Sequence, residues 1–246
     1  MALAAAPLTI YRARRVHTMD ESLPEATAVA VSAGRIVAVG DVESFAPWRE
    51  GREVVFDDRF ADKVLLPGLI DNHIHPFLGA ILMPMEQIAP EAWRQPDGSE
   101  APAARTPEAY RKRLLERTAA RPDKDDWFIT WGYHHYMHGE LSRAVLNKLA
   151  PDFPVIVWHR SCHEFFLNDA ALTLVGIDAK LIAGLPKSAQ EQISLEKGHF
   201  FEQGGLAVVG KVAPFMASPE SFRNGLEYSV RYYHRNGITV CCEPGG

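Results

Sequence analysis

Pro67-Gly68-Leu69-Ile70-Asp71-Asn72-His73-Ile74-His75-Pro76 is the most informative segment of the sequence, because an apolar run ends there in two histidines separated by one residue. In an extended strand the side chains alternate between faces, so Asp71, His73 and His75 point the same way. Neutral imidazoles bind zinc and similar divalent ions, and a nearby carboxylate fixes the orientation of a ring. The stretch predicts a metal-binding strand end, with His73 and His75 as ligands and Asp71 supporting them. The competing interpretation is two histidines that only accept backbone hydrogen bonds.

The rest of the chain divides into two patterns. Residues 1–60 contain short alternating runs with a hairpin turn at Ser32-Ala33-Gly34, which predicts a small β unit. Residues 61–246 alternate strands with helices, the pattern of βα units and a parallel sheet. The stretch 178–214 shows no firm period, and we interpret it as an insertion or lid. The predicted strands are Leu8 to Arg15, Thr27 to Ser32, Arg35 to Gly40, Glu53 to Phe56, Val64 to Ile70, Trp127 to Trp131, Pro154 to Trp158 and Gly237 to Cys242.

Three predicted helices have readable amino termini. Thr106 and Ser218 are each followed by proline, which favours an N-cap with proline at the first helical position. Asn168 is a further N-cap candidate, and Gly176 marks the end of its helix. The predicted helices therefore start at Pro107, Asp169 and Pro219.

The opening motif resembles the first barrel strand of the amidohydrolase superfamily, whose pattern is Pro-Gly-Leu-Ile-Asp-x-His-x-His. Three later stretches are similar to one branch, the amidohydrolase family 3 proteins that include N-substituted formamide deformylase-like enzymes. The resemblance extends from about Leu8 to the last residue. The three stretches are Trp131-Gly132-Tyr133, the segment from Cys162 to Leu172, and Gly237-Ile238-Thr239-Val240.

The resemblance implies a TIM-type (β/α) barrel preceded by a small β-sandwich segment. A closed barrel has eight strands and takes about 250 residues, whereas this chain supplies four predicted barrel strands. We therefore expect only the first half of the barrel. The resemblance also implies a hydrolase that uses one or two divalent ions, zinc first, to activate water against carbon-nitrogen bonds other than peptide bonds. Amides, formamides and cyclic amides belong to this class.

The same resemblance suggests where further site residues lie. The family's remaining histidine ligands and its general-base aspartate would lie beyond Gly246, so no catalytic residue is assigned within the chain. Glu202 and Glu243 are the two candidates for a further metal ligand. The sequence does not decide between them, and it also allows each to be a surface carboxylate. We predict a substrate pocket lined by Tyr133, His134 and His163. In the loop from Tyr133 to His138, the alternative is that His134 and His138 bind a metal as a pair.

Composition limits the partners and the compartment. A net charge of −5 gives no reason to expect nucleic acid or an anionic membrane surface as partner. No segment approaches the roughly 20 apolar residues that span a bilayer. The cysteines, Cys162, Cys241 and Cys242, form neither an even framework nor a Cys-x-x-Cys pair, which favours a reducing cytoplasm.

Two other functions stay open at this stage. The chain is alternatively a truncated or split amidohydrolase without activity of its own, because an open half barrel exposes sheet edges that need a partner chain or a second copy. We accordingly expect a homo-oligomer or a missing carboxyl-terminal half. The other alternative is a binding module that keeps the pocket and uses no metal, for which His73 and His75 would be dispensable.

Overall fold

The chain divides after Ile70 into two units, and each is described by itself. The computed structural model describes residues 6–95, 97–120 and 127–244. The first unit extends past the division that the sequence predicts at residue 60. The reason is β4, a single strand that runs from Val54 to Leu65 beside the first strand of the chain.

The first unit is built on one four-stranded sheet in the order β3-β2-β1-β4. β1 and β2 are antiparallel, as are β2 and β3, whereas β4 lies parallel to β1. Ala33 and Gly34 make the predicted hairpin turn with φ values of 49° and 73°. Because the described residues of this unit form one sheet, the structure supports a β unit and leaves the sandwich a prediction. The elements are β1 (Leu8–His17), β2 (Glu25–Ser32), β3 (Arg35–Gly40), a 3-10 helix (Val42–Phe45), α1 (Ala46–Arg49) and β4 (Val54–Leu65).

The second unit contains a six-stranded sheet in the order β12-β13-β11-β10-β9-β6. β9 and β10 are parallel, as predicted, and the short β6, which was not predicted, lies parallel to β9. The sheet continues from β10 into the antiparallel strands β11, β13 and β12. A tight turn at Arg160–His163 reverses the chain after β10, with Cys162 at a φ of 66°. The strands are β6 (Glu86–Gln87), β9 (Phe128–Tyr133), β10 (Val155–His159), β11 (Glu164–Leu167), β12 (Ile193–Ser194) and β13 (His199–Phe201).

The predicted strand from Val64 to Ile70 is wrong, since the structure divides it between two elements. Val64 and Leu65 end β4, and a short β5 covers Leu69–Asp71, with the unit boundary inside it. The other short strands are β7 (Trp93–Arg94) and β8 (Glu100–Ala101), which pair with each other, and β14 (Ile238–Cys241).

Three helices of the second unit start where the sequence predicts, at Pro107, Asp169 and Pro219. Thr106, Asn168 and Ser218 each accept a hydrogen bond from the main-chain N–H three residues on, at 3.2, 3.0 and 3.1 Å. Gly176 ends its helix in the left-handed conformation. The helices are α2 (Pro76–Leu82), α3 (Pro107–Ala119), α4 (His135–His138), α5 (Arg143–Leu149), α6 (Asp169–Val175), α7 (Ala179–Ala183), α8 (Lys187–Gln190), α9 (Glu202–Met216) and α10 (Pro219–Arg235).

The stretch 178–214 is more regular than its sequence suggests. It contains α7, α8, β12, β13 and most of α9. Phe200 of β13 is fully buried and stacks on Phe165 of β11, with ring centroids 5.3 Å apart. In α9, Val208, Val212 and Met216 recur at i, i+4 spacing and are buried. Much of this stretch therefore belongs to the hydrophobic core.

Asn168 links β10 to α6. Its side chain is fully buried, and Oδ1 accepts hydrogen bonds from the N–H groups of Val155 and Ala171, each at 3.0 Å. Nδ2 donates to the carbonyls of Ala150 and Phe153 at 2.9 and 2.8 Å. All four hydrogen-bonding positions on this buried amide are used, which fixes the start of β10, at the opposite end of the strand from His159.

None of the helices in the described part of the chain combines the length and the apolar character needed to cross a membrane.

Candidate metal centre

His73 and His75 lie close together, although strand geometry is not the cause. β5 ends at Asp71, and both histidines follow it in a turn. The two rings are nearly perpendicular, with centroids 5.5 Å apart. His75 is also the N-cap residue of α2, where Pro76 takes the first helical position. A turn and a helix start thus bring the imidazoles together, and the predicted alternation along a strand is wrong.

Asp71 supports this turn through the main chain. Its Oδ1 accepts a hydrogen bond from the N–H of His73 at 3.1 Å. Such a side-chain contact to the backbone two residues on stabilises a tight turn. The sequence predicts that Asp71 orients an imidazole, whereas its side-chain hydrogen bond holds the backbone that carries the ring.

Glu243 is the carboxylate that contacts a ring of this pair. Nδ1 of His75 donates to Oε1 of Glu243 at 2.8 Å. The main chain sets this distance, because the N–H of Cys242 donates to the carbonyl of Asp71 at 2.9 Å and the N–H of Ile74 donates to the carbonyl of Cys242 at 3.2 Å. With Nδ1 held by Glu243, Nε2 of His75 is the nitrogen that is left to bind a metal.

Glu202 lies beside a different histidine. Its Oε1 is 3.2 Å from Nδ1 of His163, and its N–H donates to the carbonyl of His163 at 2.9 Å. Both side chains are exposed. The structure therefore associates Glu202 with the predicted pocket residue His163, and Glu243 with the predicted ligand His75.

Tyr133 is a core residue and does not line an open pocket. Its side chain is 2% exposed, and its hydroxyl donates to the carbonyl of Gly139 at 2.7 Å. Burial raises the pKa of this phenol to about 12. The ring packs against His138, His159 and Phe166. The strand that the sequence predicts is present, but the tyrosine points into the interior.

His138 cannot pair with His134 on a metal, so that alternative is wrong. Nε2 of His138 donates to the carbonyl of Ala104 at 2.6 Å, and Nδ1 accepts from the main-chain N–H of His134 at 3.1 Å. The ring also stacks on Tyr110 at 4.2 Å. Both nitrogens are occupied within the protein, and burial lowers the pKa of the ring.

His134 instead joins two other histidines. His134 follows β9, His135 begins α4, and His159 ends β10. One ring nitrogen from each lies within 4.8 Å of the other two. Burial lowers the pKa of His159 to about 4, against the opposing effect of Glu164. The sequence interpretation missed His135 and His159. The available signal was that His159 ends one of two adjacent parallel strands and His135 comes just after the other.

A cleft of about 620 Å³ lies elsewhere in the second unit. It opens at the amino-terminal end of β9, where Trp127, Phe215 and Arg117 are among its lining residues. The predicted site residues do not line it, because the histidines of this region follow the carboxyl ends of their strands.

Comparisons with known proteins agree with this architecture. The sequence model of the Amidohydrolase family matches residues 61–246, so the chain belongs to that family. The exoenzymes regulatory protein AepA of Pectobacterium carotovorum subsp. carotovorum is 24% identical over 245 residues, which cover 96% of this chain and 49% of AepA. The N-substituted formamide deformylase of Arthrobacter pascens is 32% identical over 167 residues, 67% of this chain and 28% of that enzyme.

Solved structures show the same fold. An uncharacterized metal-dependent hydrolase from Pyrococcus horikoshii OT3 matches with a TM-score of 0.64 and 17% identity, over 95% of this chain and 42% of that one. Its counterpart from Pyrococcus furiosus matches with a TM-score of 0.62 and 14% identity, over 95% and 43%. The chain thus has the α/β fold of an amidohydrolase domain, and it spans about half or less of the length of these relatives.

Proposed function

We propose that the chain belongs to a metal-dependent hydrolase of carbon-nitrogen bonds other than peptide bonds, with His73 and His75 as metal ligands. The observation that carries the proposal is the convergence of these imidazoles beside Glu243, which touches the ring of His75. Family membership supports the reaction type, and the similarity to a protein named N-substituted formamide deformylase supports the substrate class.

The donor set fits a divalent ion. Imidazole nitrogens with an adjoining carboxylate suit zinc, and also iron, manganese or nickel, so zinc is our first choice. An ion bound there would polarise a substrate carbonyl and make a bound water more acidic. Glu243 holds the proton of His75 on Nδ1, which keeps the lone pair on Nε2 available. Asp71 keeps the two rings near each other by fixing the turn at His73.

A second candidate function follows from the length of the relatives. The chain covers 49% of AepA and 28% of the deformylase. We therefore propose, as the alternative, that the chain holds metal but hydrolyses nothing until a further polypeptide or a second copy completes the site. His163 and Glu202 are then our candidates for substrate contact in either case, since both are exposed and adjacent.

Metal content of the purified chain tests the proposal. We expect the His73→Ala/His75→Ala double variant to contain about one equivalent of divalent metal less than the wild type, because it lacks two ligands. Glu243→Gln should weaken binding, since it removes the carboxylate that orients His75, by about 10–100-fold. Glu202→Gln is the matched control and should bind as the wild type does. Equal metal in the wild type and the double variant would contradict the proposal.

An activity assay separates the two candidate functions. Wild-type chain loaded with zinc is incubated with N-substituted formamides and simple amides, and release of the amine is measured. Hydrolysis that is lost in the double variant supports the enzyme. Metal binding without hydrolysis supports the incomplete site.

A further inference from the structure

A second group of histidines shares no residue with the His73 and His75 pair. It consists of His134, His135 and His159, which we call the triple-histidine cluster. β9 and β10 are parallel neighbours, and His159 pairs with Tyr133 in their register, so His134 comes directly after the paired position. The main-chain N–H of His134 donates to Nδ1 of His138, which fixes the turn into α4. Backbone structure therefore brings the three side chains together.

The three rings form a nearly equilateral triangle. Their centroids are 5.4 Å apart for His134 and His135, 5.4 Å for His134 and His159, and 5.5 Å for His135 and His159. Ligand nitrogens of a tetrahedral zinc lie about 3.3 Å apart, given zinc–nitrogen bonds near 2.0 Å. The nitrogens of the cluster lie within 4.8 Å. Small side-chain rotations close this difference, and His135 is exposed and can turn without disturbing the core.

Two ring nitrogens in the cluster are buried and have no hydrogen-bond partner among the described residues. They are Nε2 of His159 and Nδ1 of His134. His159 is only 5% exposed, so water does not freely solvate its ring. Buried polar atoms in native proteins are almost always satisfied, and a bound ion or water is one way to satisfy these two.

Glu164 provides the outer contact that metal-binding histidines usually have. Its Oε1 lies 3.4 Å from Nδ1 of His159, and its Oε2 accepts from Nε2 of His199 at 2.5 Å. Oγ of Ser161 is 2.8 Å from the same Nδ1. A carboxylate at the remote nitrogen fixes the tautomer and makes the imidazole a stronger ligand.

The ring proton of His159 must move when a metal binds. Without metal, the main-chain N–H of Ser161 donates to Nδ1 of His159 at 3.1 Å, which places the proton on Nε2. With metal, the lone pair of Nε2 forms the new bond and the proton moves to Nδ1. The Oγ of Ser161 accepts it there and the main-chain N–H of Ser161 turns away from Nδ1, so the ring neither gains nor loses a proton.

We propose that the triple-histidine cluster is a binding site for a divalent transition-metal ion, with zinc as the best fit. Three imidazoles favour zinc, nickel or copper over calcium and magnesium, which prefer oxygen ligands. Three protein ligands also leave a fourth tetrahedral position for water. The site is separate from the proposed His73 and His75 centre and does not depend on it.

Zinc titration in the His73→Ala/His75→Ala background tests this site alone. Each protein is stripped with chelator, desalted and titrated by calorimetry, and its circular dichroism spectrum confirms folding. We expect the double variant to bind about one equivalent of zinc. Adding His135→Ala should abolish that binding, and because His135 is exposed this change should not disturb the fold. The exposed His234 on α10 gives the matched control, His234→Ala, which should change nothing.

A second variant tests the outer contact. Glu164→Gln in the same background should weaken zinc binding by about 10–100-fold. The proposal is overturned if the double variant binds no zinc, or if adding His135→Ala leaves binding unchanged. Either result is distinct from failure of the His73 and His75 proposal, in which the double variant and the wild type would bind equally.

Discussion

His138 shows how one buried imidazole can make the stability of the second unit depend on pH. It is 1% exposed and uses both ring nitrogens, one towards Ala104 and one towards His134. Protonation of Nδ1 would place a second N–H against the main-chain N–H of His134. Burial disfavours the charged ring and lowers its pKa below the ordinary value of 6.5.

We expect this group to reduce stability in mild acid. Between its lowered folded pKa and 6.5, the unfolded chain binds a proton that the folded chain does not, so the free energy of unfolding falls as the pH falls. The contribution is fully present above 6.5. In His138→Gln the dependence should be shallower. Urea unfolding at a series of pH values measures both slopes, with His234→Gln as the control. Equal slopes in all three proteins would contradict this role.

Sequence reasoning at the scale of residues worked where the signal was local. The pair His73 and His75 is visible in one short motif, and the structure places the rings near each other. The contact of His75 with Glu243 joins positions that are 168 residues apart, so no local pattern contains it. His159 was equally hidden, because its partners follow a different strand. Which way the last side chain of a strand points, as for Tyr133 at the end of β9, depends on packing that the sequence alone does not display.

Two helices control the position of His75 at the scale of elements. α2 begins directly after His75. α10 packs against α2 at Gly225. A Cβ placed on Gly225 would lie 1.8 Å from the carbonyl oxygen of Ala80 and 3.0 Å from Pro84. Only a residue without a side chain permits this approach of the two helices.

Gly225→Ala should therefore force α2 and α10 apart. We expect a loss of about 1–3 kcal/mol in the free energy of unfolding, the usual cost of inserting a methyl group into a packed contact. The matched control is Gly210→Ala in α9, where a Cβ would meet nothing within 4 Å. That change should be stabilising by about 0.5–1 kcal/mol, since alanine favours a helix interior. Urea unfolding of both variants measures the difference, and a stabilised Gly225→Ala would refute the contact.

Helices whose first residues carry a capping signal could be predicted from the sequence, whereas short strands without such a signal could not. The caps at Thr106, Asn168 and Ser218 reflect hydrogen bonds formed within a few residues, so their sequence signature is sufficient. β11 and β13 were missed because each is short. They form the antiparallel part of the sheet, which depends on the turn at Arg160–His163 that reverses the chain after β10. Their apolar residues are equally compatible with a helix or a loop.

At the scale of the whole molecule, all proposed metal ligands lie in the second unit. His73, His75 and the triple-histidine cluster follow Ile70, where the division falls. The first unit has its own sheet and its own core around Leu8, Ile10 and Phe45. A ligand that binds only the folded form stabilises the structure that forms its site. The division therefore predicts that metal acts unequally on the two units.

Hydrogen exchange measured by mass spectrometry tests this division. With zinc at about 100 times its dissociation constant, local opening of the ligand-bearing segments should become less favourable by about 2.7 kcal/mol. Exchange should slow in peptides that contain residues 71–82, 128–138 and 155–167, whereas peptides from β1 to β4 should exchange at an unchanged rate. In His73→Ala/His75→Ala the protection of 71–82 should disappear and that of 128–138 and 155–167 should persist, because the two sites share no ligand. If zinc slowed exchange in the peptides from β1 to β4 as much as in those of the second unit, the prediction would be wrong.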